Sequence, residues 1–350
     1  MRRRRYFHLY EPMTEFKNLV KAYKSASHGK RDRLAVLCFG NNLEANVLQM
    51  QHDLRSETYT FGPYRSFYVY EPKTRLIESA CFRDRVVHHA IYDRIEIVFD
   101  KQFYDYSFAC RSGRGTHSAM LTLHKWTMES RKKVFLKCDI RKYFPSINRN
   151  KLFAIIEKSI ADQKLLKLLD KLIQAAPQKG IPIGNLTSQL FANIYLNELD
   201  QFVKRQLREK YYIRYMDDFI FLVDNRKTAQ ELRLKVEEYV SDKLLLEMSP
   251  EKVKIGSVNE GIPFVGYCLR PDSIKIRSAP FRRITKKVRK AYKKSFGSNY
   301  QIEGNFWDKP DTKRSLFYAS WSSFLGQTKY ASNGLWLQEN FKKNLELLPP

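Results

Sequence analysis

The sequence predicts an α+β fold in which helices surround an antiparallel sheet. Two observations carry this prediction: short apolar and β-branched runs, two of which contain or end in carboxylates, and longer stretches with apolar residues at helical spacing. The chain has 350 residues, of which 43% are hydrophobic and 14% aromatic, enough to bury a sizeable core. We therefore expect a globular protein with two or three subdomains.

The N-terminal part is expected to be mostly helical. Apolar residues at helical spacing predict a helix from about Thr14, as its N-cap, to Lys24, with Phe16, Leu19, Val20 and Tyr23 on its apolar face. The loop SASHGKRDR should end it. A second helix is expected at 42–54 and a third at 83–100. Between them, FGPYRSFYVYEPKTRLIES alternates as a basic hairpin does.

The middle of the chain supplies the sheet. VFLKCDI (134–140) is predicted to be a strand that ends at Asp139, and IRYMDDFIFL (213–222) a pair of strands. VKIGSV and PFVGYCLR are expected to form another strand pair. Helical spacing is found at 150–174, from the GIPIGN loop (180–185) to about 209, at 228–243, and in the basic segments that follow Ser278.

The net charge points to a polyanionic partner. Lys and Arg number 63 against 37 acidic residues, a formal charge of +26. This exceeds what solubility requires, so nucleic acid is the expected partner, and a merely cationic surface is the alternative.

The cysteine pattern and the first residues indicate a cytoplasmic protein without a membrane segment. The five cysteines are scattered and form no CxxC pair, which indicates neither a disulfide framework nor a zinc site. The opening MRRRRYFHLY lacks the apolar core of a signal peptide. Its Arg run is expected to contact phosphates or to stay solvated.

Asp217 and Asp218 stand in an otherwise mostly apolar run, where isolated buried carboxylates would cost several kcal/mol each. They therefore need cations or a solvated turn. With Asp139 on a neighbouring strand they could hold the two divalent cations that nucleotidyl transfer uses. The alternative is a solvated turn, with Asp139 as a helix cap.

Two further features fit a nucleotide site. Lys73 and Arg75 are expected on one side of a strand, as a triphosphate clamp requires, with a solvated strand face as the alternative. GIPIGN offers backbone N–H groups at a helix start.

These motifs together resemble a reverse transcriptase. YMDD (215–218) and DIRKYFPSI (139–147) carry the resemblance, which extends through EPKTRLIESACFRDRVVHHAI, GIPIGNLTSQLFANIYLNELD and FVGY (264–267). Five segments are similar to the group II intron-like bacterial and phage enzymes of diversity-generating retroelements: SHGKR, YEPKTRLI, FACRSGRGTH, PIGNLTSQLFANIY and ASWSSF. About eighty residues follow FVGY, fewer than a thumb and a ribonuclease H domain together need, so we do not expect the retroviral arrangement.

The resemblance implies a right-hand polymerase fold with an antiparallel-sheet palm. Residues 1–133 would form the N-terminal helices and fingers with part of the palm, residues 134–270 the palm, and residues 271–350 a small helical thumb.

The resemblance also implies roles for individual residues. Asp139, Asp217 and Asp218, with the backbone carbonyl of Ile140, would hold two Mg²⁺ ions. Phe144 would be a steric gate against a ribose 2′-OH, with a core aromatic as the alternative, and the segment around Lys252 resembles a general-acid lysine region. The nucleotide would contact Lys73, Arg75, Lys142, Tyr143, Phe144, Ile183, Gly184 and Gln189. The primer end would meet Phe264, Val265, Gly266 and Tyr267. In FACRSGRGTH, Arg111, Arg114 and His117 are expected to contact template phosphates, with a solvated basic loop as the alternative.

Ile183 bears on fidelity. Many reverse transcriptases have Gln before the glycine of this loop, whereas Ile183 offers no hydrogen bond to the nascent base pair. Since base discrimination depends on small differences in transition-state contacts, its loss could lower fidelity. The resemblance implies misincorporation opposite template adenine, with Ile183 and Arg75 involved. The alternative is that Ile183 only packs against the palm.

The resemblance further implies partners and a setting. They are template RNA, a primer and its cDNA, deoxynucleoside triphosphates and a pentameric accessory variability protein, acting in mutagenic retrohoming in a bacterial cytoplasm, whether the gene is the host's or a phage's. Two alternatives stay open: a retron-like or group II intron-like enzyme of ordinary fidelity, and a non-catalytic RNA-binding maturase or chaperone.

Overall fold

The computed structural model describes residues 5–70, 73–296 and 312–346. The chain divides into two compact units. The first comprises residues 1–115, 136–221 and 227–254, and the second comprises residues 116–135, 222–226 and 255–350. Of the N-terminal Arg run only Arg5 is described, and its guanidinium donates to the carbonyl of Ile160 (3.4 Å).

Helices open the first unit, and the helices predicted at 42–54 and 83–100 are confirmed. The helices are α1 (Tyr10–Met13), α2 (Phe16–Ser27), α3 (Leu34–Asn41), α4 (Leu43–Arg55) and α5 (Phe82–Asp100). The prediction that Thr14 caps α2 is wrong, because its buried hydroxyl donates to the carbonyl of Glu11 (3.1 Å) and Glu15 is the N-cap. α2 packs against α5 and α4, and Phe16 stays 36% exposed.

The predicted basic hairpin is confirmed as β1 (Arg65–Val69) paired antiparallel with β2 (Arg75–Ser79). Glu71 and Pro72, which stand between the two strands in the sequence, lie outside the described residues. Lys73 precedes β2, so it does not share a strand face with Arg75, contrary to the prediction. Both side chains are exposed.

A four-stranded sheet carries the three aspartates, as predicted. Its strands are β3 (Val134–Asp139), β4 (Tyr212–Tyr215), β5 (Asp218–Val223) and β6 (Lys254–Ser257), in the order β4-β5-β3-β6. The helices around it in the sequence are α7 (Tyr143–Ser146), α8 (Arg149–Glu157), α9 (Gln163–Gln174), α10 (Leu186–Phe202) and α11 (Arg226–Asp242). The helical stretch expected at 150–174 is therefore two helices.

The second unit contains α6 (Thr116–Glu129) and a three-stranded antiparallel sheet of β7 (Ile262–Phe264), β8 (Tyr267–Arg270) and β9 (Ser273–Ile276). The expected pairing of VKIGSV with PFVGYCLR is wrong, because β6 belongs to the four-stranded sheet. Three basic or aromatic helices follow, α12 (Ser278–Phe296), α13 (Thr312–Thr328) and α14 (Gly334–Glu346). Their core includes Tyr292, Phe317, Trp321, Phe324 and Phe341.

Across the described ranges, the structure contains no helix with the length and apolarity needed to span a membrane.

Candidate active site

The turn that carries Asp217 joins β4 to β5. Tyr215 pairs with Asp218, so Met216 and Asp217 are the two turn residues. Met216 has a φ of 56°, in the left-handed region that favours glycine. β3 lies beside β5 and ends at Asp139, whose carboxylate is close enough to raise the pKa of both Asp217 and Asp218.

These carboxylates repel one another where water is partly excluded. Burial, followed by the charge of Asp139, raises the pKa of Asp217 from 3.8 to about 6. Burial also raises the pKa of Asp218, and the ammonium of Lys137 acts in the opposite direction. Cations are held most strongly where carboxylates are crowded and desolvated in this way.

Two lysines meet the carboxylates directly. Nζ of Lys137 donates to both carboxylate oxygens of Asp218, at 2.5 Å from Oδ1. Nζ of Lys252 donates to Oδ1 of Asp139, whose backbone carbonyl accepts from the N–H of Ser249 (2.8 Å). Lys137 was not among the site residues predicted from the sequence. The signal was there, since residues two apart on a strand share a face and Lys137 stands two before Asp139.

The donor set suits a hard divalent cation by its chemistry. Three carboxylates offer only oxygen ligands, which Mg²⁺ prefers, and the ammonium groups of Lys137 and Lys252 already stand as cations against two of them. Within the part of the chain that the structure describes, no group of three or more His, Cys, Asp or Glu has a geometry that could hold a metal ion.

The segment after β3 contains one predicted metal ligand and three of the predicted nucleotide contacts. Ile140 is buried and bridges to Met248. Lys142 is exposed, with a φ of 44°, at the start of α7. Tyr143 is buried and its hydroxyl donates to the carbonyl of Ala192 (2.6 Å), which leaves only its backbone for a nucleotide. Phe144 is half-buried and stands edge-on to Tyr143.

The GIPIGN loop is fastened to β2, the strand that begins with Arg75. The carbonyl of Ile183 accepts from the N–H of Glu78 (2.9 Å), and the side chain of Asn185 donates to the carbonyl of Glu78 (3.0 Å). Gly184 has a φ of 120°, and a Cβ there would lie 2.8 Å from the side chain of Ile77. Ile183 is half-buried, whereas Gly184 and Gln189 are exposed.

The family described as "Reverse transcriptase (RNA-dependent DNA polymerase)" matches residues 70–269, more than half of the chain. The chain belongs to this family. The description of the family names RNA-dependent DNA polymerase activity, and the aspartates and the GIPIGN loop all lie within the matched segment.

This reverse transcriptase is similar in sequence to two curated relatives and similar in fold to one solved structure. It is 26% identical to Protein YkfC of Escherichia coli (63% of this chain, 70% of the relative). It is 24% identical to the group II intron-encoded protein LtrA of Lactococcus lactis (65% of this chain, 50% of the relative), so it spans about half of LtrA. Apo telomerase from Candida tropicalis matches 82% of this chain, and 62% of its own, with a TM-score of 0.50 at 13% identity. The right-hand α+β fold is thereby confirmed.

The predicted primer segment of the reverse transcriptase is a tight turn in the second unit. Phe264 pairs with Tyr267, and the two residues between them, Val265 and Gly266, have φ values of 41° and 95°. The side chains of Phe264 and Tyr267 are buried, and the Tyr267 hydroxyl donates to the carbonyl of Gln327 (2.9 Å). Only the Val265-Gly266 turn is left to meet a primer.

The predicted template contacts differ in exposure. Arg111 is buried, and its guanidinium donates to Asp100 (Oδ1, 2.6 Å) and to the carbonyl of Tyr104 (2.8 Å). Its expected role at template phosphates is therefore corrected to a structural ion pair. Arg114 is partly exposed and donates to the backbone carbonyl of Asp105.

His117, in the second unit, is partly exposed and packs against the ring of Tyr330, with 4.9 Å between ring centroids.

Proposed function

We propose that this reverse transcriptase is an RNA-directed DNA polymerase whose active carboxylates are Asp139, Asp217 and Asp218. The observation that carries the proposal is the crowding of these carboxylates, which raises the pKa of Asp217 to about 6. A purely structural turn gains nothing from such repulsion, because an uncompensated buried charge is costly. A site for two Mg²⁺ ions does gain, since the cations offset it.

Each of the three carboxylates has a defined position on the four-stranded sheet. Asp139 ends a strand, and its carbonyl is held by the N–H of Ser249. Asp217 stands at the apex of a two-residue turn, and Asp218 opens β5 beside Lys137. When bound, the Mg²⁺ ions would lower the pKa of the primer 3′ hydroxyl and stabilise charge on the leaving pyrophosphate.

The incoming nucleotide would meet exposed cations and backbone. Lys73 and Arg75 are exposed, so their charges are available to a triphosphate. Phe144 is half-buried and is available as the steric gate. Lys252, whose Nζ contacts Asp139, is available to carry a proton near the leaving group.

The test is primer extension on an RNA template with Asp217→Asn beside wild type. We expect the variant to lose synthesis and to keep its affinity for RNA, because the amide removes a metal-binding charge without touching the basic surface. Asp224→Asn is the matched control, since Asp224 is 81% exposed and pairs with Lys133. An Asp217→Asn enzyme as fast as wild type would contradict the proposal.

We propose further that the cDNA is error-prone opposite template adenine, as in a diversity-generating retroelement. Ile183 is half-buried in a loop fastened to the strand that begins with Arg75, and its apolar side chain offers the nascent base pair no hydrogen bond. Ile183→Gln should lower the error rate opposite adenine, and Ile183→Leu, which stays apolar, should not. An error rate unchanged by Ile183→Gln would return Ile183 to a packing role.

The proposed setting follows from the same assignment. Template RNA, primer, deoxynucleoside triphosphates and a pentameric accessory protein would be the partners, in a bacterial cytoplasm. The fingers, palm and thumb would occupy residues 1–133, 134–270 and 271–350. The exposed basic residues of α12, among them Arg282, Lys286 and Lys290, suit a nucleic acid backbone.

The second candidate is a group II intron-like reverse transcriptase of ordinary fidelity. The similarity to LtrA, at 24% identity, favours it. The two candidates differ in the distribution of errors in the cDNA, which sequencing measures.

A further inference from the structure

Arg214 stands in β4, two residues before Met216, and its side chain is completely buried. Nε donates to Oδ1 of Asp200 (2.8 Å) and Nη2 donates to Oδ2 (2.6 Å), a bidentate pair whose carboxylate is equally buried. Burial alone would lower the pKa of Arg214, but the Asp200 carboxylate raises it above its usual value. The guanidinium is therefore charged and rigidly oriented.

The third nitrogen of this guanidinium reaches the catalytic turn. Nη1 donates to the backbone carbonyl of Met216 (3.0 Å) and to Oδ1 of Asn193 (3.1 Å). Asn193 is itself buried, and its Nδ2 donates to the carbonyl of Ala109 (2.8 Å), which fixes the orientation of its amide. Asn193 and Asp200 are seven residues apart on α10, so one helix face holds both partners.

The carbonyl that Arg214 holds belongs to the peptide group between Met216 and Asp217. Because a peptide group is planar, fixing its oxygen also fixes the direction of the Asp217 N–H and the position of the Asp217 Cα, which carries the side chain. Support is needed here, since Met216 has a left-handed φ of 56°, a backbone conformation that is strained in a residue with a Cβ.

We infer that Arg214 is a positioning residue for the Asp217 carboxylate, acting through the Met216 carbonyl from a rigid base formed by Asp200 and Asn193. The inference deepens the proposed polymerase function and rests on it. A role in folding alone would use the Arg214–Asp200 pair and would not need the bond to the turn.

The test is Arg214→Lys in the full-length chain, with steady-state kinetics on an RNA template and Mn²⁺ binding followed by electron paramagnetic resonance. Lysine keeps the charge beside Asp200 but lacks the planar fork, so it cannot reach the carboxylate and the turn together. We expect kcat to fall at least about tenfold, with KM for the nucleotide within about threefold. Mn²⁺ affinity should fall as well, because Asp217 is no longer held in place.

Tyr212→Phe is the matched control. The Tyr212 hydroxyl donates to the same Oδ1 of Asp200 (2.7 Å) but makes no bond to the turn, so its loss should lower stability and leave kcat within about twofold. If Arg214→Lys fails to fold, Asn193→Ala serves instead, because it removes one of the two acceptors that orient Nη1 and leaves the Asp200 pair intact.

The outcomes distinguish a failure of the positioning role of Arg214 from a failure of the proposed polymerase function. If either test variant lowers kcat and Mn²⁺ affinity no more than Tyr212→Phe does, the positioning role is overturned and the proposed polymerase stands. If the wild-type protein makes no cDNA, the proposed function fails, and Mn²⁺ binding alone still measures the effect of Arg214 on the turn.

Discussion

Replacing Asp217 by Asn should stabilise the protein while destroying its activity. Burial and the neighbouring carboxylates raise the pKa of Asp217 from 3.8 to about 6 in the folded chain. A folded pKa above the unfolded one means that the folded state binds more protons between these two values, so the stability contributed at low pH is lost as the pH rises through 6. The variant, which cannot ionise here, does not suffer this loss.

The magnitude follows from the shift. At about 1.36 kcal/mol for each pH unit, ionised Asp217 costs the folded state about 3 kcal/mol above pH 6 and nothing below pH 4. Asp217→Asn should therefore raise the free energy of unfolding by up to about 3 kcal/mol at pH 7.5, with a difference near zero at pH 4.

The assay is chemical unfolding with guanidinium at both pH values, in EDTA, followed by circular dichroism. Asp224→Asn is again the control, since an exposed carboxylate should change stability by less than about 0.5 kcal/mol at either pH. A difference between Asp217→Asn and wild type that is the same at pH 4 and pH 7.5, or a variant less stable at pH 7.5, would refute the reasoning.

Three further predictions concern the lysine beside Asp218, the GIPIGN loop and the affinity for RNA. Lys137→Met should tighten Mn²⁺ binding at least about tenfold, because it removes a cation that contacts Asp218. Lys133→Met is the control and should leave Mn²⁺ binding unchanged, because its partner Asp224 is exposed. Weaker Mn²⁺ binding in Lys137→Met would mean that the lysine organises the site. Gly184→Ala should slow cDNA synthesis at least about tenfold, because the added Cβ would lie 2.8 Å from the side chain of Ile77 and a φ of 120° disfavours alanine. Full activity would show that the GIPIGN loop can shift to accommodate the Cβ. Affinity for RNA should fall steeply with salt, given a formal charge of +26, and a salt-insensitive affinity measured by filter binding would contradict a phosphate-based interface.

Local patterns in the sequence were sufficient to predict most of the elements around the site. The strand ending at Asp139, the hairpin around Asp217 and the helix after GIPIGN were all predicted, because apolar spacing and turn residues are local properties. The strand pairing of VKIGSV was not, since partner choice depends on contacts far apart in the chain.

Side-chain partners were the harder part of the site. Arg111 looked like a template contact and is instead buried against Asp100, because composition does not distinguish an exposed Arg from one with a buried carboxylate partner. For the same reason, the sequence did not predict a role for Arg214, which stands three residues before Asp217. Its partner Asp200 lies fourteen residues earlier, at the far end of a helix whose facing side is fixed only by tertiary packing.

The most direct test of the account is primer extension by the wild-type chain on an RNA template containing all four bases, with Mg²⁺ and deoxynucleotides, followed by sequencing of the cDNA. We predict cDNA that is absent with Asp217→Asn and that carries errors concentrated opposite template adenine. Evenly faithful cDNA would contradict the mutagenic assignment, and no cDNA from the wild-type chain would contradict the polymerase itself.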